Sequence, residues 1–198
     1  MIGPKAYISI DNLKSNLNSI KKKVGELDIL CVIKANGYGH GSIQVAKAIS
    51  DFANIHFAVF SISEALELRQ ANITNDIMIF SKMQFDIIDH AFNNNIILNL
   101  SSFDDIEYLK EYISETKNKP RYHIKFDTGM TRLGVDIEKA DLFYKKLVND
   151  IKVQPEGIYT HFATADEGDL KYANNQLSKF KDVIILADKY NIKFKYIH

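Results

Sequence analysis

The chain has 198 residues, 46% hydrophobic and 25% charged, the proportions of an ordinary soluble globular protein with material for a sizeable core. Its 25 basic and 25 acidic residues cancel, so no net field draws it to nucleic acid or an anionic membrane, and the expected partner is a small molecule. No apolar run approaches the roughly eighteen residues of a membrane span, the N-terminus lacks the apolar stretch of a signal peptide, and the lone Cys31 cannot form an internal disulfide; the expected compartment is a reducing cytoplasm.

In chain order, short β-type runs alternate with longer amphipathic stretches. A strand is predicted over Ala6 to Ile10, then strands over Ile29 to Lys34, His56 to Ser61 and Asp76 to Ser81, with helices over Ser42 to Phe52 and Ser63 to Gln70 between them. Helices over Phe85 to Phe92, Phe103 to Glu115, Ile137 to Val148 and Asp169 to Tyr190 lead in turn to strands over Ile96 to Leu100, Tyr122 to Asp127, Gly157 to Phe162 and Phe194 to His198. Ser63 and Asp169 are read as caps, their side chains accepting free N–H groups of a first helical turn.

Apolar strands joined by helices, with no Asn-Gly hairpin signal between strands, require a parallel sheet with a covered outer face. An open doubly wound sheet and a (β/α) barrel both satisfy this. The barrel is favoured because Lys34, Ser61, Ser81, Asp127, His161 and His198 fall at or just past the ends of many strands, where barrel active sites are built. No linker or internal repeat marks a second domain, so residues 1–198 are read as one α/β domain of TIM-type (β/α)8 architecture.

The densest chemical signal is Val32 to Gly41, VIKANGYGHG, in which a lysine ends an apolar strand and three glycines follow within five residues. Desolvation disfavours an ammonium at the end of a buried strand, and the free amine is a good carbonyl nucleophile, the group that Schiff-base chemistry needs. A lysine paired with a neighbouring carboxylate, or snorkelling to water, fits the same pattern.

These ten residues resemble the cofactor segment of the alanine racemases, the fold-type III pyridoxal-phosphate racemases. Ile124 to Gly134, IKFDTGMTRLG, resembles the family's arginine-bearing strand and loop, and Gly157 to Asp169, GIYTHFATADEGD, its histidine-bearing strand end. The resemblance runs the length of the chain. It implies pyridoxal 5'-phosphate as cofactor, no metal, a small amino-acid substrate, and interconversion of L- and D-alanine for peptidoglycan by a cytoplasmic homodimer. Lys34 is then the Schiff-base lysine and one of two catalytic bases, and Tyr38 donates to the cofactor phosphate. Arg132 bonds the cofactor's phenolic oxygen and the substrate carboxylate, and His161 lies against the pyridine ring. Lys125 matches a position that carries a carbamate in some members; an ordinary lysine paired with Asp127 or Asp166 is the alternative. His40 and Asn36 are expected to hold the loop through backbone hydrogen bonds. The resemblance also implies a barrel incomplete at its C-terminus, a C-terminal β domain and a second, tyrosine base outside residues 1–198, and an Ala6 to Ile10 strand that packs on that domain. A non-catalytic pyridoxal-phosphate carrier and a racemase of serine, lysine or broad specificity are the alternative functions.

Overall fold

The computed structural model describes residues 3 and 5–198, which form two compact units, one ending at Phe80 and one spanning Ser81–His198. In the first unit, helix α1 (Ile10–Val24) precedes strand β1 (Ile29–Val32), α2 (Ser42–Ile49), β2 (Ile55–Val59), α3 (Ile62–Gln70) and β3 (Ile77–Ile79). The three strands are parallel, β2 between β1 and β3, with Ile29 opposite Ile55 and Phe57 opposite Ile77. Phe57, Ala58, Val59, Ile77, Met78 and Ile79 are buried, as expected of parallel strands covered on both faces. Ala46, Ile49, Ala65 and Leu68 carry that burial into α2 and α3.

The first predicted strand is absent, and the segment starts a helix instead. Residues 5–9 carry no regular structure and Tyr7 is 89% exposed. A strand needs a partner for its N–H and C=O groups. Here the Ser9 hydroxyl accepts the N–H of Asn12 at 3.2 Å and caps α1, whose first turn carries Asp11 and whose last carries Lys21, Lys22 and Lys23, both favourable to the helix dipole.

The second unit runs α4 (Phe85–Asn93), β4 (Ile96–Leu100), α5 (Phe103–Thr116), β5 (Tyr122–Asp127), β6 (Val135–Asp136), α6 (Ala140–Asp150), β7 (Gly157–Tyr159), α7 (Lys171–Asp188) and β8 (Tyr196–Ile197). Its parallel ladder has the order β4-β5-β7-β8, and the unexpected two-residue β6 pairs with the end of β5, Phe126 opposite Val135. Every residue of β4 is buried, and Phe126, Phe143 and Tyr144 meet in edge and tilted ring contacts beneath α6. Two cap assignments shift by a residue or two. Ser61 rather than Ser63 caps α3, and Asp169 stands one residue before the cap position of α7, its carboxylate accepting the N–H of Lys171. No described helix is long and apolar enough to cross a membrane.

Candidate active site

Strands β1, β2, β3 and β7 stop two residues before Lys34, Ser61, Ser81 and His161, while Asp127 ends β5 and His198 follows β8. The expected chemistry-bearing residues therefore stand at the C-terminal ends of parallel strands.

In the first unit, the chain after β1 makes a single left-handed turn over Lys34–Tyr38, with φ of 51° at Ala35, 52° at Asn36, 63° at Gly37 and 53° at Tyr38. Each non-glycine residue in that region costs about 1–2 kcal/mol, less for asparagine. Main-chain bonds hold the turn: Gly37 N–H to Ile33 O at 2.9 Å, Gly41 N–H to Asn36 O at 2.9 Å and His40 N–H to Gly37 O at 3.0 Å. Asn36 Oδ1 accepts the N–H of Ser42, and His40 Nδ1 lies 3.0 Å from Gly37 O, so both residues hold the loop as expected. Gly37 is favoured twice, by its positive φ and because a Cβ would press on Ser42 N at 3.2 Å. Lys34 is half-buried, its Nζ 6.0 Å from the centre of the exposed Tyr38 ring.

In the second unit, β5 alternates apolar Tyr122, Ile124 and Phe126 with polar His123, Lys125 and Asp127. Lys125 is 6% exposed and its Nζ lies 4.7 Å over the Tyr159 ring. Burial, then the Arg132 guanidinium, push its amine down to about 8, against a weaker upward pull from Asp127. Among the described residues Lys125 makes no direct ion pair with Asp127 or Asp166. Asp127 instead spends one oxygen on the N–H groups of Gly129 and Thr131, at 2.9 and 3.0 Å, shaping the loop that presents the exposed Arg132.

His161 is also exposed, and its strand end is tied down by Gln176 of α7. The fully buried Gln176 donates to His161 O and Thr128 Oγ1 and accepts the N–H of Ala163. Thr128 meets Thr160 at 2.8 Å, and Thr160 donates to Phe126 O, so one hydrogen-bonded chain joins α7, β7 and β5. Beneath Lys125, Tyr159 donates to Asn99 and stacks on the His198 ring at 4.8 Å, and His198 Nε2 is 2.9 Å from His123 Nδ1. Although His198 as a residue is exposed, burial of that stacked ring, with nearby His123 and Lys125, pushes its imidazole down to about 3. Sequence reading missed Gln176, Tyr159, Asn99 and His123; the period-two polar residues of β5 were the available signal for the last.

The structure thus brings Lys34 near Tyr38 in one unit, and Lys125 near Arg132 and Tyr159 in the other. The family model of the alanine racemase N-terminal domain matches residues 8–198. The chain belongs to the alanine racemase family. Alanine racemase 2 of Caldanaerobacter subterraneus subsp. tengcongensis is 33% identical over 197 residues, 98% of this chain and 51% of its own length. The alanine racemase of Clostridium difficile 630 superposes with a TM-score of 0.88 at 31% identity, covering 95% of this chain and 50% of its own. The same enzyme in complex with cycloserine gives 0.87, also at 31% identity, covering 95% of this chain and 52% of its own. The chain spans about half the length of the curated alanine racemases it matches. Its α/β fold is that of the TIM-type barrel domain of the family, as the polar residues at many strand ends led us to expect.

Proposed function

We propose that residues 1–198 are the cofactor-binding domain of an alanine racemase that interconverts L- and D-alanine for peptidoglycan, as a cytoplasmic homodimer. The observation that carries this reading is the half-buried Lys34, set just past the end of a parallel strand where a strained left-handed turn begins. Backbone strain of this kind persists where the surroundings over-determine it, and it clusters at functional sites. The donor set fits pyridoxal 5'-phosphate: an amine for its aldehyde, a phenol for its phosphate, a guanidinium for its phenolic oxygen.

In this proposal Lys34 Nζ would hold the cofactor, with the Tyr38 hydroxyl donating to its phosphate, Arg132 to its phenolic oxygen, and His161 supporting its ring. When bound, the cofactor supplies an electron sink for the pair left on the substrate α-carbon as its proton departs. Lys34 Nζ moves that proton on one face. Arg132 also pairs with the substrate carboxylate, a task suited to a permanently charged fork of donors. Lys125, whose amine is held at about 8, is partly neutral near physiological pH and can add to carbon dioxide. Its nitrogen bonds the carbon, one proton leaves, and the resulting carbamate anion would pair with Arg132 and orient it.

Incubating the protein with pyridoxal phosphate, reducing with borohydride and mapping peptides by mass should place a pyridoxyl group on Lys34, and Lys34→Ala should abolish it. A label carried mainly by another lysine overturns the assignment.

A further inference from the structure

Two helices of this chain open with the same device, and only one of them is wired to Lys34. At α3, Ser61 Oγ accepts the N–H of Glu64 at 3.3 Å; at α5, Ser102 Oγ accepts the N–H of Asp105 at 3.3 Å. In each, one carboxylate oxygen returns to gather the N–H of the cap and of the residue before it. Asp105 Oδ2 takes Ser101 and Ser102 at 2.7 and 2.9 Å, and Glu64 Oε2 takes Phe60 and Ser61 at 2.8 and 3.1 Å. The second oxygens differ. Asp105 Oδ1 is buried with no hydrogen-bond partner among the described residues, whereas Glu64 Oε1, on a side chain one methylene longer, accepts the N–H of Ala35 at 2.6 Å.

A helix cap needs only one of those oxygens, as Asp105 demonstrates. The bond from Glu64 to Ala35 spans 29 residues of sequence and lies outside the cap. Ala35 directly follows Lys34 and is the first residue of the turn with a positive φ, 51°, and it has neither the freedom of glycine nor a side-chain hydrogen bond to offset the strain. A charged acceptor on its N–H opposes relaxation of that peptide to the right-handed region, which would swing the Lys34 backbone and with it the amine. The same carboxylate grips the end of β2, so the direction of Lys34 is referred to a rigid strand of its own unit.

We propose that Glu64 is a positioning residue for Lys34, fixing through the Ala35 N–H the turn that aims the amine. This rests on the reading of Lys34 as the cofactor lysine. Glu64→Asp separates the two tasks, because aspartate supports such a cap at α5 but falls a methylene short of Ala35. In the full chain, three readouts are taken on wild type and Glu64→Asp: residue-resolved hydrogen exchange, the rate of borohydride-trapped pyridoxyl labelling of Lys34, and the rate of its reductive methylation by formaldehyde.

The expected result is exchange at Ala35 at least tenfold faster with Ser61 unchanged, an unaltered melting temperature, and pyridoxyl labelling of Lys34 at least tenfold slower. Glu64→Gln, with a single acceptor oxygen, should lose either the Ala35 bond or the cap and fall below wild type in labelling. Unchanged Ala35 exchange in Glu64→Asp, or loosened Ala35 with an unchanged labelling rate, overturns the proposal. If wild type is not labelled at Lys34 at all, the cofactor reading fails separately. Methylation of Lys34 then decides: a threefold or greater difference in rate between the two proteins upholds the role of Glu64, and equal rates end it.

Discussion

The loop after β1 and the loop after β5 meet one requirement, a cation held at the C-terminal end of a parallel strand, by different means. After β1 the chain uses backbone: four residues, Ala35 to Tyr38, wind left-handed, secured by main-chain bonds and by the side chains of Asn36, His40 and Glu64. After β5 it uses buried side chains: Gln176, Thr128 and Thr160 bridge the strands while Asp127 folds the loop around Arg132. The first loop should therefore answer to changes in conformational freedom, and the second to loss of polar atoms or of space.

The largest expected effect tests space in the second loop. Gly134 has a φ of 131°, a region few residues but glycine enter, and a Cβ there would meet Asp127 N at 2.7 Å and the Phe126 carbonyl carbon at 2.9 Å, both backbone. Gly134→Ala should cost about 3 kcal/mol or more in denaturant unfolding. A cost under about 1 kcal/mol would show that the β5 end yields easily, and the contrast between the loops would fail.

Next comes polar connectivity. Gln176→Leu removes a fully buried amide with three hydrogen bonds; Thr128 stays buried while His161 and Ala163 can recruit water, so the loss should be about 2 kcal/mol. Pyridoxal-phosphate affinity should fall about tenfold as the His161 strand end loosens, measured by titration. Arg132→Ala should instead weaken substrate binding more than cofactor loading, and equal loss of both would overturn its proposed role.

A comparable but conditional effect concerns Lys125. Its folded-state amine titrates at about 8, below the ordinary lysine range, so between pH 8 and 10 the unfolded chain holds a proton that the folded chain has released. The contribution of Lys125 to stability should rise with pH across that window by about 2 kcal/mol. From about pH 9 an opposing trend sets in and by about pH 10 it prevails, because burial raises the hydroxyls of Tyr122, Tyr144 and Tyr159 and the folded chain keeps protons that the unfolded one loses. Urea midpoints in buffer free of carbon dioxide should show the rise in wild type and not in Lys125→Met, and bicarbonate should flatten it if Lys125 becomes a carbamate.

How much of this was legible beforehand follows from the same contrast. Strand alternation and polar residues at many strand ends are local patterns, so the α/β class and the barrel could be read directly, as could the place of Lys34 just past the end of β1. Left-handed backbone at Ala35, Asn36 and Tyr38 could not, because glycine is the residue that announces a positive φ and only Gly37 stood among them. Gln176 was hidden because a polar residue on an amphipathic helix reads as surface until its three partners, all at least 13 residues distant, come into place. The Ala6 to Ile10 strand did not form within residues 1–198, because alternation makes a strand only where a partner takes up its N–H and C=O groups, and Ile10 opens α1 behind the Ser9 cap instead.

The smallest expected effect probes the backbone loop alone. Ala35→Gly removes a residue held at a φ of 51° and keeps its N–H, so the bond to Glu64 survives. Relief of left-handed strain returns about 1–2 kcal/mol, while the added freedom of the unfolded chain costs about 0.5–1 kcal/mol, leaving a gain of about 0.5 kcal/mol in the unfolding free energy. A stabilising mutation beside the proposed cofactor lysine should carry a functional cost, since glycine leaves the turn free to relax between encounters with the cofactor. Labelling of Lys34 should therefore slow even as the melting temperature edges upward. If both rise together, the strain at Ala35 serves nothing at the amine, and the left-handed turn is only the route by which the chain leaves β1.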